Sequence, residues 1–274
     1  MNGIGEAGQS LGRLLSFGGV FVVMALWELV SPRRKLTASK PVRWANNLII
    51  ILLDNILVKV LFPVSAVGFA MWVQQQGWGL LNLVSFYHIV EIVVAVVILD
   101  CIIYGQHVVF HLVGPLWALH RMHHTDTDLD VTSGIRFHPL EILISMGVKF
   151  AAIAVVGVSP MAAFVFELIL NGTAMFNHSN IHLPRALDAM VRKVLVTPDM
   201  HRVHHSIYPE EYNNNFGFNF PWWDHLFGTY TAQPKEGHRK MSIGLKDFRS
   251  KKDMWATQLL IQPFRKGDVP PSKK

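Results

Sequence analysis

The stretch HRMHH at residues 120–124 recurs as HRVHH at residues 201–205. Simple counting of matches predicts a chance H-x-x-H-H pattern only roughly 0.04 times in a chain of this length and histidine content. On a helix, histidines three and four residues apart lie on the same side. The repeated pattern therefore indicates a metal site rather than scattered core or surface histidines.

Two further histidine pairs, HVVFH at 107–111 and HSNIH at 178–182, bring the total to ten histidines in four clusters. A zinc site usually takes four protein ligands or fewer, whereas neutral imidazole also suits iron, copper and nickel. Shared between two ions, ten imidazoles would leave roughly one octahedral position open on each ion. The count favours two iron ions (Fe2+/Fe3+) that activate O2, with zinc as a possible substitute metal and copper still open.

The composition is that of a membrane protein, since 51% of the residues are hydrophobic and only 16% are charged. A spanning helix needs about 20 largely apolar residues. The first apolar segment has no convincing cleavage site, so we expect a retained helix rather than a signal peptide. The last segment is long enough for a hairpin that turns at Ser159-Pro160. The apolar segments cover residues 14–30, 48–73, 80–104 and 142–176.

The basic residues predict the orientation of the chain. Of the 25 lysines and arginines, five lie within residues 31–45 and fifteen lie after residue 177. The positive-inside rule places both regions, and with them all four histidine clusters, on the cytoplasmic side. The net charge of +6 is explained by this topology, and no recognisable nucleic-acid module is present, so we expect no nucleic-acid partner. The short chain favours a bacterial inner membrane, with the endoplasmic reticulum as the alternative.

Cys101 is the only cysteine, which excludes intrachain disulfides and cysteine-held clusters. Electrons for any O2 chemistry must then come from a separate donor. Several other polar residues surround the histidine motifs. Asp126, Asp128 and Asp130 could either fix imidazole tautomers or lie in a solvated loop. We expect His138 to be structural or to orient a ligand.

Two polar residues and an aromatic stretch complete the pattern. Asp100 could face the site from the membrane side, whereas Asp224 is expected to tie down the C-terminal part of the cap. The aromatic stretch from Phe216 to Phe227 favours an interfacial belt over a substrate wall.

Two segments beyond the histidine boxes carry a family resemblance: RFHPLE at 136–141 and NFGFNFPWWDHLFGTY at 215–230. Together with the boxes, they resemble the fatty acid hydroxylase / sterol desaturase superfamily of integral-membrane non-haem di-iron enzymes, over roughly residues 40–232. The resemblance implies an all-α membrane protein in which about four transmembrane helices form a stem under a cytosolic helical cap that holds the metals. The metal ligands that it implies are His107, His111, His120, His123, His124, His178, His182, His201, His204 and His205.

The resemblance also implies the activity and the partners. We expect hydroxylation of an unactivated C–H bond of a membrane lipid (fatty acyl, sterol or related), with O2 as co-substrate. The electron donor would be a reductase, a cytochrome b5 or a ferredoxin. Desaturation and ether-lipid monooxygenation on the same scaffold stay open as alternatives. Outside this class, a metal-transport or metal-binding membrane protein is disfavoured, because transporters place their ligands near the bilayer midplane.

The expected organisation is one integral-membrane domain over residues 1–274. The membrane spans lie mainly within residues 1–104 and 142–176. Residues 105–141 and 177–232 form the histidine-box cap, and residues 233–274 form a basic cytosolic tail.

Overall fold

The computed structural model describes residues 6–267, and these form helices without any β-strand, which confirms the predicted all-α class. Two isolated β-bridges, Pro32 with Ile181 and Ser206 with Ile243, are the only extended pairings in this range. The helices are α1 Glu6–Val30, α2 Lys40–Leu61, α3 Ala66–Gln76, α4 His88–Leu112, α5 Gly114–His124, α6 Pro139–Val156, α7 Pro160–His178, α8 Arg185–Val191, α9 Pro198–His204, α10 Pro209–Tyr212, α11 Trp222–Leu226, α12 Gly237–Lys240 and α13 Ala256–Ile261. Short 3-10 turns occupy Leu80–Leu83, Ser133–Ile135, Lys251–Met254 and Gln262–Phe264.

Four segments of the described chain are long and apolar enough to cross a membrane, as the sequence predicts: Leu11–Val30, Lys40–Leu83, His88–Leu112 and Pro139–Val156. Many of their apolar side chains point outward. Leu14 on α1 and Leu52 on α2, for example, are 67% and 59% exposed. An exposed apolar surface of this kind suits contact with lipid.

The second predicted span is divided in two. Helix α2 ends at Leu61, and Pro63, which lacks a backbone N–H, follows the end. Helix α3 then begins after Ser65, whose hydroxyl accepts a hydrogen bond from the Gly68 N–H. The third predicted span is shifted along the chain. Helix α4 starts at His88 rather than at residue 80, and it continues through His107 and His111 to Leu112.

The predicted turn at Ser159-Pro160 is present between α6 and α7, but of these two helices only α6 is among the candidate spans of the described residues. Gly157 ends α6 in the left-handed conformation, with φ of 76°. Ser159 then caps α7 by accepting a hydrogen bond from the Ala162 N–H, with Pro160 in the first turn. The chain turns between the two helices, and α7 packs within the stem against α1, α3 and α4.

The main core lies inside the stem, where α3, α4, α6 and α7 meet. Small side chains such as Ala70, Ala95, Ala162 and Ala163 are fully buried there, and small residues allow helix backbones to approach closely in a membrane.

Helices α5 and α8–α13 with their loops, here called the cap, cover one end of the stem. Residues from the predicted tail contribute to the cap, since Ala256 and Leu259 bury against Ile50 and Met122. Residues 268–274 of that tail lie outside the described part of the chain.

Candidate metal centre

Nine of the ten predicted ligands converge in two buried groups at the junction of stem and cap. Within each group, the potential ligand atoms lie within 4.8 Å of one another. No histidine of either group is more than 7% exposed. The five-histidine group contains His107, His111, His120, His124 and His204, and the four-histidine group contains His123, His178, His201 and His205.

Each H-x-x-H-H box is divided between the two groups. From the first box, His120 and His124 join the five-histidine group while His123 joins the other. From the second box, His204 joins the five-histidine group while His201 and His205 join the other. The two groups are therefore direct neighbours, and the rings of His124 and His205 stack with centroids 4.5 Å apart.

A sharp corner brings the first two histidine clusters together. Val113 ends α4 and also precedes α5, which begins at Gly114 with Pro115 in its first turn. The chain turns back there, so that His107 Nε2 on α4 lies 3.1 Å from His120 Nε2 on α5.

Helix α9 brings the last cluster to the same place. Thr197 caps α9 by accepting a hydrogen bond from the Met200 N–H, and Pro198 occupies the first turn. His201 Nε2 then lies 2.9 Å from His178 Nε2 at the end of α7.

Hydrogen bonds to acceptor oxygens fix which nitrogen of most rings carries the proton. A carbonyl oxygen only accepts, so an Nδ1 that bonds to it must be the donor, and Nε2 then keeps its lone pair. The Nδ1–H groups donate as follows: His107 to Phe216 O at 2.8 Å, His111 to Asn213 Oδ1 at 3.2 Å, His123 to Arg136 O at 3.1 Å, His178 to Ala174 O at 2.8 Å and His204 to Asn214 O at 2.8 Å.

These tautomers leave lone pairs pointing at one another. The Nε2 atoms of His123 and His178 are 3.0 Å apart, although both rings carry their proton on Nδ1. Neither nitrogen has a proton to share, so the contact is repulsive unless a cation binds both. The same holds for His107 and His120, because the Nδ1–H of His120 donates to Glu141 Oε1 at 2.6 Å.

Other ring nitrogens in the two groups are buried without a hydrogen-bond partner. They belong to His111, His124, His201, His204 and His205. Buried polar atoms are normally paired, and unshared imidazole nitrogens at this density match the donor set of a transition metal such as iron, zinc or copper. The residues therefore fit two metal ions, one in each group.

The charge state of the histidines agrees with this fit. Burial lowers the pKa of His204 to about 3, and burial together with neighbouring histidines lowers the pKa of His201 and of His205 well below the ordinary value. These rings are neutral at physiological pH, and neutral imidazole is the form that binds metals.

A cavity of about 780 Å³ leads from the two groups into the stem. At its upper end it touches five of the histidines: His107, His120, His123, His178 and His201. Its walls, formed by α1, α2, α4, α6 and α7, are mainly apolar, with Ile103, Phe110 and Met175 among them. A site of this form can hold one long apolar molecule against the histidines.

A comparison with protein families shows which family has this arrangement of histidines. The model of the fatty acid hydroxylase family matches residues 92–229, which include all ten predicted ligands. The chain belongs to the fatty acid hydroxylase family. The matched range is shorter than residues 40–232, the range suggested by the motifs. Helices α2 and α3 lie outside the matched range.

Curated relatives within this class act on different lipids. An ornithine lipid hydroxylase from Rhizobium tropici is 28% identical over 155 residues, covering 56% of this chain and 45% of the relative. A Delta(7)-sterol-C5(6)-desaturase from Nicotiana tabacum is 27% identical, covering 56% of this chain and 54% of the relative. An alkylglycerol monooxygenase from Danio rerio is 25% identical, covering 59% and 34%. The chain thus spans about half or less of the length of these relatives, and no solved structure matches it.

The tenth predicted ligand, His182, lies outside both groups. It is partly exposed, and its backbone N–H donates to the Ser31 carbonyl at 2.9 Å. His138 has a structural position: Nδ1 accepts from the Leu140 N–H to cap α6, and the Nε2–H donates to Leu260 O at 3.1 Å.

The three aspartates after the first box neither contact an imidazole nor face solvent. They are buried around the guanidinium of Arg43, which lies 2.7 Å from Asp126 Oδ1 and donates to the Asp128 carbonyl at 2.8 Å. Burial by itself would raise the pKa of Asp126, but Arg43 and Arg136 together lower it well below the ordinary value. This ion cluster stabilises the loop whose Arg136 carbonyl orients His123.

Asp100 and Asp224 both position the segment after the second box. Asp100 does not face the histidines, since its carboxylate accepts from the N–H groups of Asn219 and Phe220 and from Trp223 Nε1 at 2.8 Å. Asp224 accepts from the Phe216 and Gly217 N–H groups, each at 2.8 Å, as predicted for a residue that ties down the cap. Phe216 in turn supplies the carbonyl that orients His107.

Some side chains of the aromatic stretch are exposed and others are buried. Trp222 and Phe227 are 40% and 58% exposed, as expected of an interfacial belt, whereas Phe216 is buried with its ring centroid 5.0 Å from that of His111. Sequence reasoning missed the role of Glu141, although RFHPLE places this carboxylate in the first turn of a helix next to the boxes.

Proposed function

We propose that this chain is an O2-dependent di-iron enzyme that hydroxylates an unactivated C–H bond of a membrane lipid. The observation that carries the proposal is the pair of buried groups, of five and four histidines, at one end of a long apolar cavity. On octahedral ions, these groups would leave roughly one and two positions open. Bound iron would supply the redox chemistry that turns O2 and two electrons into an oxidant of C–H bonds.

In this proposal the residues of the chain bind the metals, orient the imidazole rings and enclose the substrate. The nine histidines would bind the two metals, while carbonyl oxygens and Glu141 keep the rings in the ligating tautomer. Phe110 and Phe137 line the cavity beside the histidines and would exclude water from the reacting carbon. His182 stays a predicted ligand that this arrangement does not need. The electrons would come from an external reductase, cytochrome b5 or ferredoxin.

The choice of substrate class rests on the family. The relatives named above are a lipid hydroxylase, a sterol desaturase and an ether-lipid monooxygenase, so a membrane lipid is the substrate class that they share.

The proposed location is the cytoplasmic face of a bacterial inner membrane. In support, the basic loop between α1 and α2 contacts the cap directly: Arg33 pairs with Asp199 at 2.9 Å, and Arg34 donates to the Met241 carbonyl at 2.8 Å. The loop and the metal centre therefore lie on the same side of the stem, the side that the positive-inside rule makes cytoplasmic.

Metal content per chain tests the proposal. Protein purified in mild detergent, without oxygen or chelator, should contain about two irons by elemental analysis, as two octahedral sites require. His204→Ala, in the five-histidine group, should lose metal and all lipid oxidation. The control His225→Ala lies outside both groups, beside Tyr230, and should keep both irons, as should His182→Ala.

The activity is measured as the gain of one oxygen atom in extracted lipids, by mass spectrometry with ferrous protein and a chemical reductant. Purified wild-type protein that holds no metal after iron reconstitution would refute the proposal. So would full activity of His204→Ala.

A further inference from the structure

A charged cluster lies at the end of the cavity that is remote from the histidines. It consists of Arg13 on α1, Lys149 on α6 and Glu167 on α7. Arg13 Nη2 lies 3.0 Å from one oxygen of Glu167, and Lys149 Nζ lies 3.6 Å from the other. Both cations line the cavity. Two positive groups share one carboxylate, so the cluster itself has one cation more than it has carboxylates. Two further carboxylates, those of Asp54 and Glu141, line the same cavity, and the Arg13 guanidinium also lies over the Phe164 ring.

The cluster lies deep in the stem. At 1.5 Å per residue, Lys149 is about 15 Å from the start of α6 at Pro139 and about 10 Å from its end at Val156. Arg13 lies two residues inside the candidate span Leu11–Val30, and Glu167 lies seven residues after the start of α7, so the cluster is within the stem. Ionisable groups at this depth are costly and mark functional sites by default.

A purely structural tie between the helices would not need this composition. One cation and one carboxylate would satisfy each other, whereas here two cations share one carboxylate and both cations line the cavity. A further polar atom between the cluster and the histidines also lacks a partner. Gln106 lines the cavity, and its buried Oε1 accepts no hydrogen bond, although its Nε2 donates to Ser145 Oγ at 2.8 Å.

We propose that Arg13 and Lys149 bind the carboxylate of a lipid substrate, and that this contact sets which carbon of the chain reaches the histidines. The inference rests on the proposed function. Glu167 and His178 are eleven residues apart on α7, which places the carboxylate about 16 Å from the metal groups. The oxidised carbon would therefore lie at a fixed distance from the acid group rather than from the methyl end.

The position of the cluster favours a carboxylate over a phosphate. Leu14 on α1 and Asn55 on α2 line the cavity and are exposed, from which we infer lateral access between these two helices. A protonated carboxylic acid is neutral and can reach this depth through the hydrocarbon, then ionise against the two cations. A phosphodiester stays ionised and would have to carry its charge into the bilayer.

Direct binding tests the site without any turnover. Radiolabelled hexadecanoic acid and its methyl ester are bound to the iron-loaded protein under argon and measured by scintillation proximity. The wild type should bind the acid at least ten-fold more tightly than the ester. Lys149→Met and Arg13→Met should each weaken acid binding about ten-fold and leave ester binding unchanged. The control Lys59→Met removes an exposed cation of α2 that does not line the cavity, and should change neither.

Glu167→Gln distinguishes binding of a substrate carboxylate from a purely structural ion pair between the helices. Without the competing carboxylate the two cations should bind the acid several-fold more tightly, whereas a tie would be broken and binding of both probes would weaken. Equal binding of acid and ester by the wild type would overturn the inference. Weaker acid binding by Glu167→Gln would do the same.

Product analysis separates this inference from the proposed function. With acids of increasing chain length, the wild type should oxidise a carbon at constant distance from the carboxyl group. Selective acid binding without any oxidation would refute the proposed function and leave the carboxylate site standing. Oxidation of lipids with no preference for the acid, and at a constant distance from the methyl end, would refute the carboxylate site alone.

Discussion

At the level of single residues, the acceptor on one ring nitrogen decides what the other nitrogen can do. Four of the Nδ1–H groups donate to backbone carbonyls, and that of His120 donates to a carboxylate, Glu141. A carboxylate partner makes the imidazole a stronger electron donor than a carbonyl does, because it carries a full negative charge. Glu141 is therefore the residue outside the two groups whose substitution should affect metal binding most directly.

Glu141→Gln should lower metal affinity at the five-histidine group about 10- to 100-fold and leave the four-histidine group loaded. Glutamine keeps an acceptor oxygen but loses the charge that raises the basicity of His120. Chelator competition followed by elemental analysis measures the effect. The same change at Glu91, which accepts from Ser159 Oγ at 2.7 Å beside the hairpin turn, serves as the control. Equal affinity in the two variants would contradict the assigned role.

At the level of elements, one close approach connects the loop after α5 to helix α7. A Cβ placed on Gly134 would lie 2.3 Å from the Ala174 carbonyl oxygen, much nearer than atoms in contact can be. That same oxygen accepts the hydrogen bond that orients His178. Gly134 is needed because the backbones of the loop and of α7 are in contact at this point. The Ala174 backbone cannot move aside as a flexible side chain could.

Gly134→Ala should therefore destabilise the protein by about 1–3 kcal/mol, the usual cost of overpacking, and should reduce metal in the four-histidine group by displacing His178. Thermal unfolding and metal content measure both effects. A Cβ added to Gly147 on α6 would meet no atom within 4 Å, so Gly147→Ala should not be destabilised and should gain up to about 1 kcal/mol from the higher helix propensity of alanine. If the two variants were equally stable and equally loaded, the close contact would not matter.

At the level of the whole molecule, the two histidine groups join parts of the chain that are far apart in sequence. The five-histidine group draws on α4, α5 and α9, and the four-histidine group on α5, α7, α9 and the residue after it. Bound metals would thus connect the stem to the cap. Without them, the repulsive contacts between ring nitrogens are left uncompensated.

Removing the metals should lower the stability of the whole fold. A ligand that binds only the folded state, at a free concentration 100-fold above its Kd, contributes about 2.7 kcal/mol per site. Chelated protein should therefore unfold at a lower temperature than iron-loaded protein, and added Fe2+ should restore the difference in wild type and in His225→Ala. In a variant that lacks His201 and His204 the chelator should have little effect. Identical unfolding of chelated and loaded wild type would show that the groups bind no metal.

Much of this architecture follows from local pattern. The apolar segments predict the stem because length and hydropathy are properties of the segment itself. Ser159-Pro160 predicts the hairpin because a cap and a proline in the first turn act within a few residues. The spacing of HRMHH and HRVHH predicts a histidine-rich metal site, since H-x-x-H-H places three imidazoles on one side of a helix.

The partner of each polar side chain depended on the tertiary structure and could not be predicted from local sequence. The tertiary structure divided each box between two groups, left His182 outside them, and buried Asp126 against Arg43, which lies 83 residues away. It also joined Arg13, Lys149 and Glu167 from three helices. Helical periodicity determines which face a residue occupies but not which distant face it will meet, because that choice depends on the packing of every helix in the stem at once.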